Sequence, residues 1–570
     1  MLLSLRKLNT SQRLLRDHLI CRRLSSRARN VLSSLDFSEK QSDTIPGVYD
    51  GEWRGSGEIF ESVCPSTREV IGRIRSGTPD ELQATLSKTR EAYRKFRLLP
   101  PPRRGEIVRQ IRNALSSKVC GVFPREELGA LVALEMGKIR TEGVGEVQEF
   151  IDICDYAVGL SRMMNGRLVA SERPGHSILE VPNPLGVVGV LSAFNFPVAV
   201  YGWNLAISMV AGNATLWKPS PSTPLCSIAI TKIVSNVLEN NGLPGAIAGL
   251  FVGGKDAGEA IVESEEVDLV SFTGSEAVGR QVGKVVQGRF GKIILELGGN
   301  NASIVLADAD LNLALPAVFF GAVGTAGQRC TTTRRLFIQR AIASTFIEKL
   351  QAAYKSITPG DPLIDGTLLG PLHTERAISV YLSAIDHLRF SDAEILIGGR
   401  IYEASHLEDY LSKGYFVQPT IAIPRSTDPK QMMWSKENFA PILNVAVFDE
   451  VEEAIEWNNA VPQGLSSTIW TRDIRNIGKW IGPEGSDCGI VNVRDEKKNY
   501  RLTLMGFKQV NVGTSGAEIG AAFGGNKSTG WGRESGGDAW KQYVRWSACT
   551  INYSDAAPLA QGVNFNLPSS

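Results

Sequence analysis

Between Gly186 and Glu296, short apolar runs alternate with stretches of helical character, and that alternation leaves the chain few folds to choose from. The runs 186–191, Ala214–Lys218, 248–252, Leu269–Thr273 and Lys292–Glu296 are strand-like, and 223–240 between them is helical. Strands and helices in this order form a parallel sheet covered on both faces, with ligands at the carboxyl ends of the strands. The pattern predicts an α/β protein built on a parallel sheet.

Residues 186–217 carry no charge, which in length alone could suggest a membrane span. Asn183, Asn195, Asn204 and Asn213, with Pro184 and Pro197, instead divide the region into a strand, a polar turn, a helix and a second strand of a buried core. No membrane partner is expected. Upstream, 79–99 and 102–115 have helical periodicity, with Asp80 and Glu81 suited to a first turn. A helix over 142–164 then leads into 168–181, where Ser171 to His176 reads as the turn of a projecting β-hairpin.

The chemistry is carried further along. Cys330 lies in Gly324-Thr325-Ala326-Gly327-Gln328-Arg329-Cys330-Thr331-Thr332, where small neighbours leave room for a carbonyl. Adjacent positive charge is expected to favour the thiolate. In Leu295-Glu296-Leu297-Gly298-Gly299-Asn300-Asn301 a carboxylate is set among glycines, where it can activate water. The eight cysteines form no CxxC pair, and the five histidines have no metal-ligand spacing, so neither a disulfide scaffold nor a bound metal is expected. A net charge of +1 gives no field for nucleic acid.

Gly274 to Gly279 mimics a phosphate-binding loop, but Arg280 stands where that motif requires lysine. A nucleotide triphosphatase is thereby disfavoured. The turn could still hold a phosphate on its backbone N–H groups.

These blocks together resemble the aldehyde dehydrogenase superfamily, whose signatures are an E-L-G-G-x-N box and a G-Q-x-C box. The resemblance runs from about Tyr49 to Tyr553 and includes Phe272-Thr273-Gly274-Ser275, Trp217-Lys218-Pro219-Ser220 and Glu437-Asn438-Phe439-Ala440-Pro441. It implies an NAD-binding Rossmann-type domain, a second α/β catalytic domain and a small β oligomerisation domain. By the same resemblance Cys330 is the nucleophile, Glu296 the hydrolytic base and Asn195 an oxyanion donor. Lys218, Gly274, Ser275, Glu437 and Phe439 would contact NAD, which is preferred only weakly over NADP.

Finer wording, in Gly145-Glu146-Val147-Gln148-Glu149-Phe150 and Thr514-Ser515-Gly516-Ala517-Glu518-Ile519-Gly520, looks like the antiquitin (family 7) branch, which oxidises α-aminoadipic semialdehyde in lysine catabolism. That resemblance assigns Glu149 and Arg329 to an amino acid head group. Ser515, Gly516 and Ala517 would anchor its carboxylate, and Phe196, Trp203 and Phe523 would wall the aliphatic middle.

The domains implied are 49–164 with 182–297 for NAD, 298–491 for catalysis, and 165–181 with 511–556 for bridging in a homotetramer. Residues 1–30 hold Arg6, Lys7, Arg13, Arg16, Arg22, Arg23, Arg27 and Arg29 against the single acid Asp17. They read as a mitochondrial transit peptide, placing the protein in the matrix, with a basic tail on a cytoplasmic protein as the other reading.

Two segments depart from the family pattern: 119–124, and a charged stretch over 494–510 that reads as an atypical insertion ahead of the carboxylate anchor. Both begin with valine or adjoin it, and the longer is read as a retained intron or misplaced exon boundary. Its presence should bulge the adjoining strand or shift its register. Two alternatives therefore stay open: a dehydrogenase of betaine or lipid aldehydes, and a catalytically silent homologue. Trp531 also stands where a small residue is expected.

Overall fold

The computed structural model describes residues 28–35, 37, 44–117, 124–494, 513–516, 518–556 and 563. Two seven-stranded sheets dominate it. The first runs, in spatial order, Lys292–Glu296, Leu269–Thr273, Val187–Leu191, Ala214–Lys218, Ala248–Phe251, Val48–Tyr49 and Trp53–Arg54. The five strands from Lys292–Glu296 through Ala248–Phe251 are parallel, and the two amino-terminal ones add antiparallel at the other edge.

The order in which strands are added reverses between the parallel neighbours Val187–Leu191 and Leu269–Thr273, so a crevice opens at their carboxyl ends. Asn195, Lys218, Gly274 and Glu296 all follow or end strands at that edge.

The second sheet runs Glu394–Ile397, Thr420–Ile423, Ile442–Phe448, Thr333–Gln339, Asn301–Val305, Ser466–Trp470 and Ile490–Arg494. Cys330 lies just ahead of Thr333–Gln339, at the amino end of this sheet. The nucleophile and the first sheet's carboxyl edge thus approach each other from two units.

The uncharged region forms the strands and helix expected of it. All thirteen residues of the helix Ala199–Ala211 are buried, and Trp217 stacks on Tyr201 with ring centroids 3.7 Å apart. Among the described residues no helix is long and apolar enough to cross a membrane. A helix buried on every side has no water for its first N–H groups, and Ala199–Ala211 has no capping side chain of its own. Glu146 supplies the cap from the neighbouring helix Arg140–Leu160, accepting from the N–H of Val198 at 2.6 Å and of Ala199 at 3.1 Å. Glu135 does the same for the helix Pro224–Asn240 through Leu225 and Cys226, each at 2.8 Å. By contrast, Pro79–Phe96 caps itself with the Thr78–Glu81 capping box.

The predicted hairpin is present as Arg167–Ala170 and His176–Pro184, with the first strand wholly exposed. Val544–Asn552 pairs along the second strand and completes a three-stranded sheet. Among the described residues of the expected bridging segment 511–556, only this last strand joins that sheet. Gly513 to Ser515 pack beside the nucleophile instead, and Phe523 and Glu534 lie near the first sheet's carboxyl edge.

The insertion does not disturb its strand, contrary to the expected bulge. Ile490–Arg494 pairs residue for residue with Ser466–Trp470, and the Asn492 amide donates to the Gly513 carbonyl at 2.8 Å. The chain therefore leaves and re-enters within one side chain's reach. Residues 495–512 lie outside the described residues, as do 118–123, which contain nearly all of the other atypical piece, and Ala517. Residues 1–27 of the expected transit peptide also lie outside them, whereas 28–34 are helical with Ala28 and Leu32 in the core.

Candidate active site

The helix Leu311–Val323 ends in a tight turn that delivers Cys330. Thr325, Ala326 and Gly327 take successive left-handed conformations, with φ of 51°, 52° and 71°. Two of these residues carry a Cβ, so the turn is strained and must be held by its surroundings. Glu142 holds it. One carboxylate oxygen accepts from both the N–H and the hydroxyl of Thr325, each at 3.0 Å, and from the Arg329 guanidinium at 2.6 Å. At Gly327 a side chain would collide with the Ala440–Pro441 peptide. Asn301 then fixes the Cys330 carbonyl by a hydrogen bond of 2.7 Å.

The electrostatics differ from the expected thiolate. Burial pushes the Cys330 thiol up to about 12, and the charges of Glu296 and Glu437 add to that effect. Arg329 does not offset it, because its guanidinium is committed to Glu142. The resting nucleophile is a thiol in need of a base.

Glu296, at the end of its strand, is 5% exposed, and neither carboxyl oxygen has a hydrogen-bond partner. Burial first, and the neighbouring Glu534 second, raise its pKa well above the ordinary carboxylate range. Gly524 packs close to this carboxyl; a Cβ there would come within 2.5 Å of Oε1. Asn195 directs its amide across the crevice and donates to the Gln328 carbonyl at 3.0 Å. That leaves its second amide hydrogen for a substrate oxygen.

On the cofactor side, Lys218 ends its strand with a largely buried ammonium, which desolvation lowers to about 8. The Gly274 N–H is not free for a phosphate, as the motif suggested: it donates to the Glu296 carbonyl at 3.1 Å. Gly274 contributes through its missing side chain, since a Cβ would press on the Phe272 ring at 2.7 Å. Ser275 is the N-cap of the helix Glu276–Gly288 and makes no side-chain cap bond, so the first-turn donors remain available to an anion. Arg280, the residue that disqualified the phosphate-loop reading, pairs with Glu276 at 2.7 Å.

Across the crevice Glu437 accepts from Arg334 at 3.1 Å and from the Gly299 N–H at 3.2 Å. Phe439 has φ of 48° and meets Phe194 edge-on at 6.0 Å. Lys218, Ser275, Glu437 and Phe439 thus offer a cation, uncapped amides, a carboxylate and an aromatic face around one crevice, a set that fits a dinucleotide.

The predicted substrate residues gather beyond the nucleophile. Glu149 has one buried carboxyl oxygen with no partner, and burial together with Glu146 raises the group to about 7. It makes no ion pair with Arg329, whose partner is Glu142. Phe196 lies under the Lys138 ammonium, 3.8 Å from the ring centroid. Trp203 and Phe523 pack with centroids 5.2 Å apart. Ser515 is tied to the Thr331 carbonyl at 3.0 Å, beside Cys330, and Gly516 is exposed with φ of 144°.

The aldehyde dehydrogenase family profile matches residues 53–549. The chain belongs to the aldehyde dehydrogenase family. Alpha-aminoadipic semialdehyde dehydrogenase of Bos taurus is 51% identical over 519 residues, covering 91% of this chain and 90% of the relative. Aldehyde dehydrogenase family 7 member A1 of Pisum sativum is 50% identical, over 91% and 96% of the two chains. Betaine aldehyde dehydrogenase of Staphylococcus aureus, solved in complex with NAD+, superposes with a TM-score of 0.82 at 26% identity, over 95% and 99%.

Several residues that shape this aldehyde dehydrogenase site escaped the sequence reading. Glu142 is one, and the buried ion pair of Lys138 with Glu146, 2.7 Å long, is another. Arg334, 1% exposed, ties together the carbonyls of Gly299, Gly327 and Arg329 as well as Glu437. Its signal was available: two arginines ahead of the apolar run Leu336-Phe337-Ile338, in a strand buried almost throughout, must find buried partners. Glu534 is a further case, accepting from Ser271 and from Asn204.

Proposed function

We propose that the chain oxidises α-aminoadipic semialdehyde to α-aminoadipate with NAD, as a step of lysine catabolism. The observation that carries the reading is Glu149: a buried carboxyl oxygen without a partner, within the electrostatic reach of Arg329 in the nucleophile turn, suits an ammonium arriving with the substrate. Relatives that carry that enzyme's name over nine-tenths of their length support it.

In this mechanism the Cys330 sulfur adds to the aldehyde carbon as its thiol proton passes to a base. Solvent takes that proton, which leaves Glu296, buried and unpartnered, for the hydrolytic step. The oxygen gains negative charge, and the free amide hydrogen of Asn195 stabilises it, a contribution of about 3 kcal/mol in comparable sites. Lys218, Ser275, Glu437 and Phe439 would hold NAD, which would supply the acceptor for the hydride that leaves the substrate carbon. A thioester on Cys330 remains. Glu296 then takes a proton from water, whose oxygen attacks the acyl carbon, and returns that proton to the departing sulfur, releasing the carboxylic acid and restoring the thiol. The exchange balances as one aldehyde, one NAD+ and one water giving one acid, one NADH and one proton.

At the far end of the substrate Glu149 receives the ammonium. Ser515, Gly516 and Ala517 receive the carboxylate, and Phe196, Trp203 and Phe523 enclose the methylenes. The exposed strand Arg167–Ala170 and its sheet support assembly as a homotetramer. The arginine-rich segment ahead of residue 28 supports import into the mitochondrial matrix. NADH formation from α-aminoadipic semialdehyde, set against betaine aldehyde and a lipid aldehyde, tests the substrate. Preference for either of the latter, or no turnover of any, would reject it.

A further inference from the structure

A second cavity, about 240 Å³ in volume, lies between the helix Glu375–Phe390 and the segment 432–444. Every residue lining it belongs to the second sheet's unit, so it is not the crevice between the two units, although it shares Glu437 with that crevice. Val380, Ala384, Leu388 and Met433 give it apolar walls.

Arg376, His387 and Lys436 also line it, and none of these three side chains has a hydrogen bond or ion pair among the described residues. Glu437 is the sole acid of the lining, and its charge is already compensated by Arg334 at 3.1 Å. The cavity therefore presents net positive charge. Asn444 is 3% exposed, donates its amide to the Met433 carbonyl at 2.7 Å, and leaves its side-chain oxygen without a partner. A buried acceptor left unmade is costly unless something donates to it.

We propose that this cavity binds a small anionic molecule with an apolar body and a hydrogen-bond donor at its inner end, such as a hydroxylated aromatic carboxylate. The carboxylate meets Arg376 and Lys436, the ring lies against Val380, Leu388 and Met433, and the hydroxyl donates to Asn444. Because Glu437 forms part of both walls, occupancy alters NAD affinity, and NAD alters the affinity of the second ligand by the same factor. Only this coupling rests on the placement of NAD at Glu437; the binding itself does not.

The test is calorimetric titration of the full chain with 4-hydroxyphenylacetate, with and without NAD. Binding at one site per chain is expected. Affinity should fall about tenfold in the double variant Arg376→Ala/Lys436→Ala, and by a similar factor for phenylacetate, which lacks the hydroxyl. Absence of binding, or binding indifferent to both changes, overturns the site. Outright displacement by NAD also overturns it, by placing the probe in the cofactor crevice. An NAD affinity unmoved by saturating probe overturns the coupling. No turnover is read, so failure here is separable from failure of the catalytic reading.

Discussion

Asn195 and Gln328 join the two halves of the active site: the Asn195 amide, at the carboxyl edge of the first sheet, donates to the Gln328 carbonyl at 3.0 Å, two residues ahead of the nucleophile. One amide thereby ties the crevice together and offers its second hydrogen to the reacting oxygen. Replacing Asn195 by Ala removes both. We expect kcat to fall by about 10²–10³ with a much smaller change in KM, measured by steady-state NADH formation. A variant with near-normal kcat would place the oxyanion donor elsewhere.

Glu149 should confer pH dependence on substrate binding. Its pKa is raised to about 7, chiefly by burial, so the carboxylate that attracts an ammonium exists above that pH and is lost as pH falls through it. KM for α-aminoadipic semialdehyde should therefore rise as pH is lowered from 8 to 6, on the order of tenfold. In Glu149→Gln it should be high throughout and nearly flat. A KM profile that Glu149→Gln leaves unchanged would remove this residue from the substrate site.

Much of the framework was legible because it is local. The strands Ala214–Lys218, Leu269–Thr273 and Lys292–Glu296 are apolar runs closed by turn residues, and they form with the expected limits. What escaped is long-range. Glu142 reaches Arg329 across 187 residues of sequence, and no spacing rule encodes that pair. The protonation of Cys330 escaped for the same reason. Arg329 adjoins it in sequence, but folding hands that charge to Glu142 and leaves burial and two carboxylates to act on the thiol.

Glu146 supports fold rather than chemistry. It caps Ala199–Ala211 and neutralises Lys138, and both members of the pair are almost wholly buried. Glu146→Ala leaves an unpaired buried ammonium and two uncapped amides. The expected loss is about 3–5 kcal/mol, read by chemical denaturation. A loss below about 1 kcal/mol, the scale of an exposed pair, would show that water reaches the site.

Removing 494–510 should be tolerated. The strand before the segment keeps its register, and Gly513 returns within hydrogen-bond reach of Asn492. Thr514 is fixed independently by the Thr331 carbonyl at 2.8 Å and by the Ser466 hydroxyl at 2.7 Å. The shortened chain should keep its melting temperature and turn over at least as fast as the full one. A cooperative transition lost on deletion would make the segment part of the fold.

The central claim is that substrate becomes an ester of the Cys330 sulfur, which Glu296 helps water to release. Peptide mass spectrometry of Glu296→Gln, quenched during reaction with NAD and aldehyde, measures this directly. The account predicts an acyl group on the peptide containing Cys330, accumulating with a single burst of NADH and absent from Cys330→Ser. Steady NADH production by the variant with that peptide unmodified, or acylation of another side chain, would contradict it.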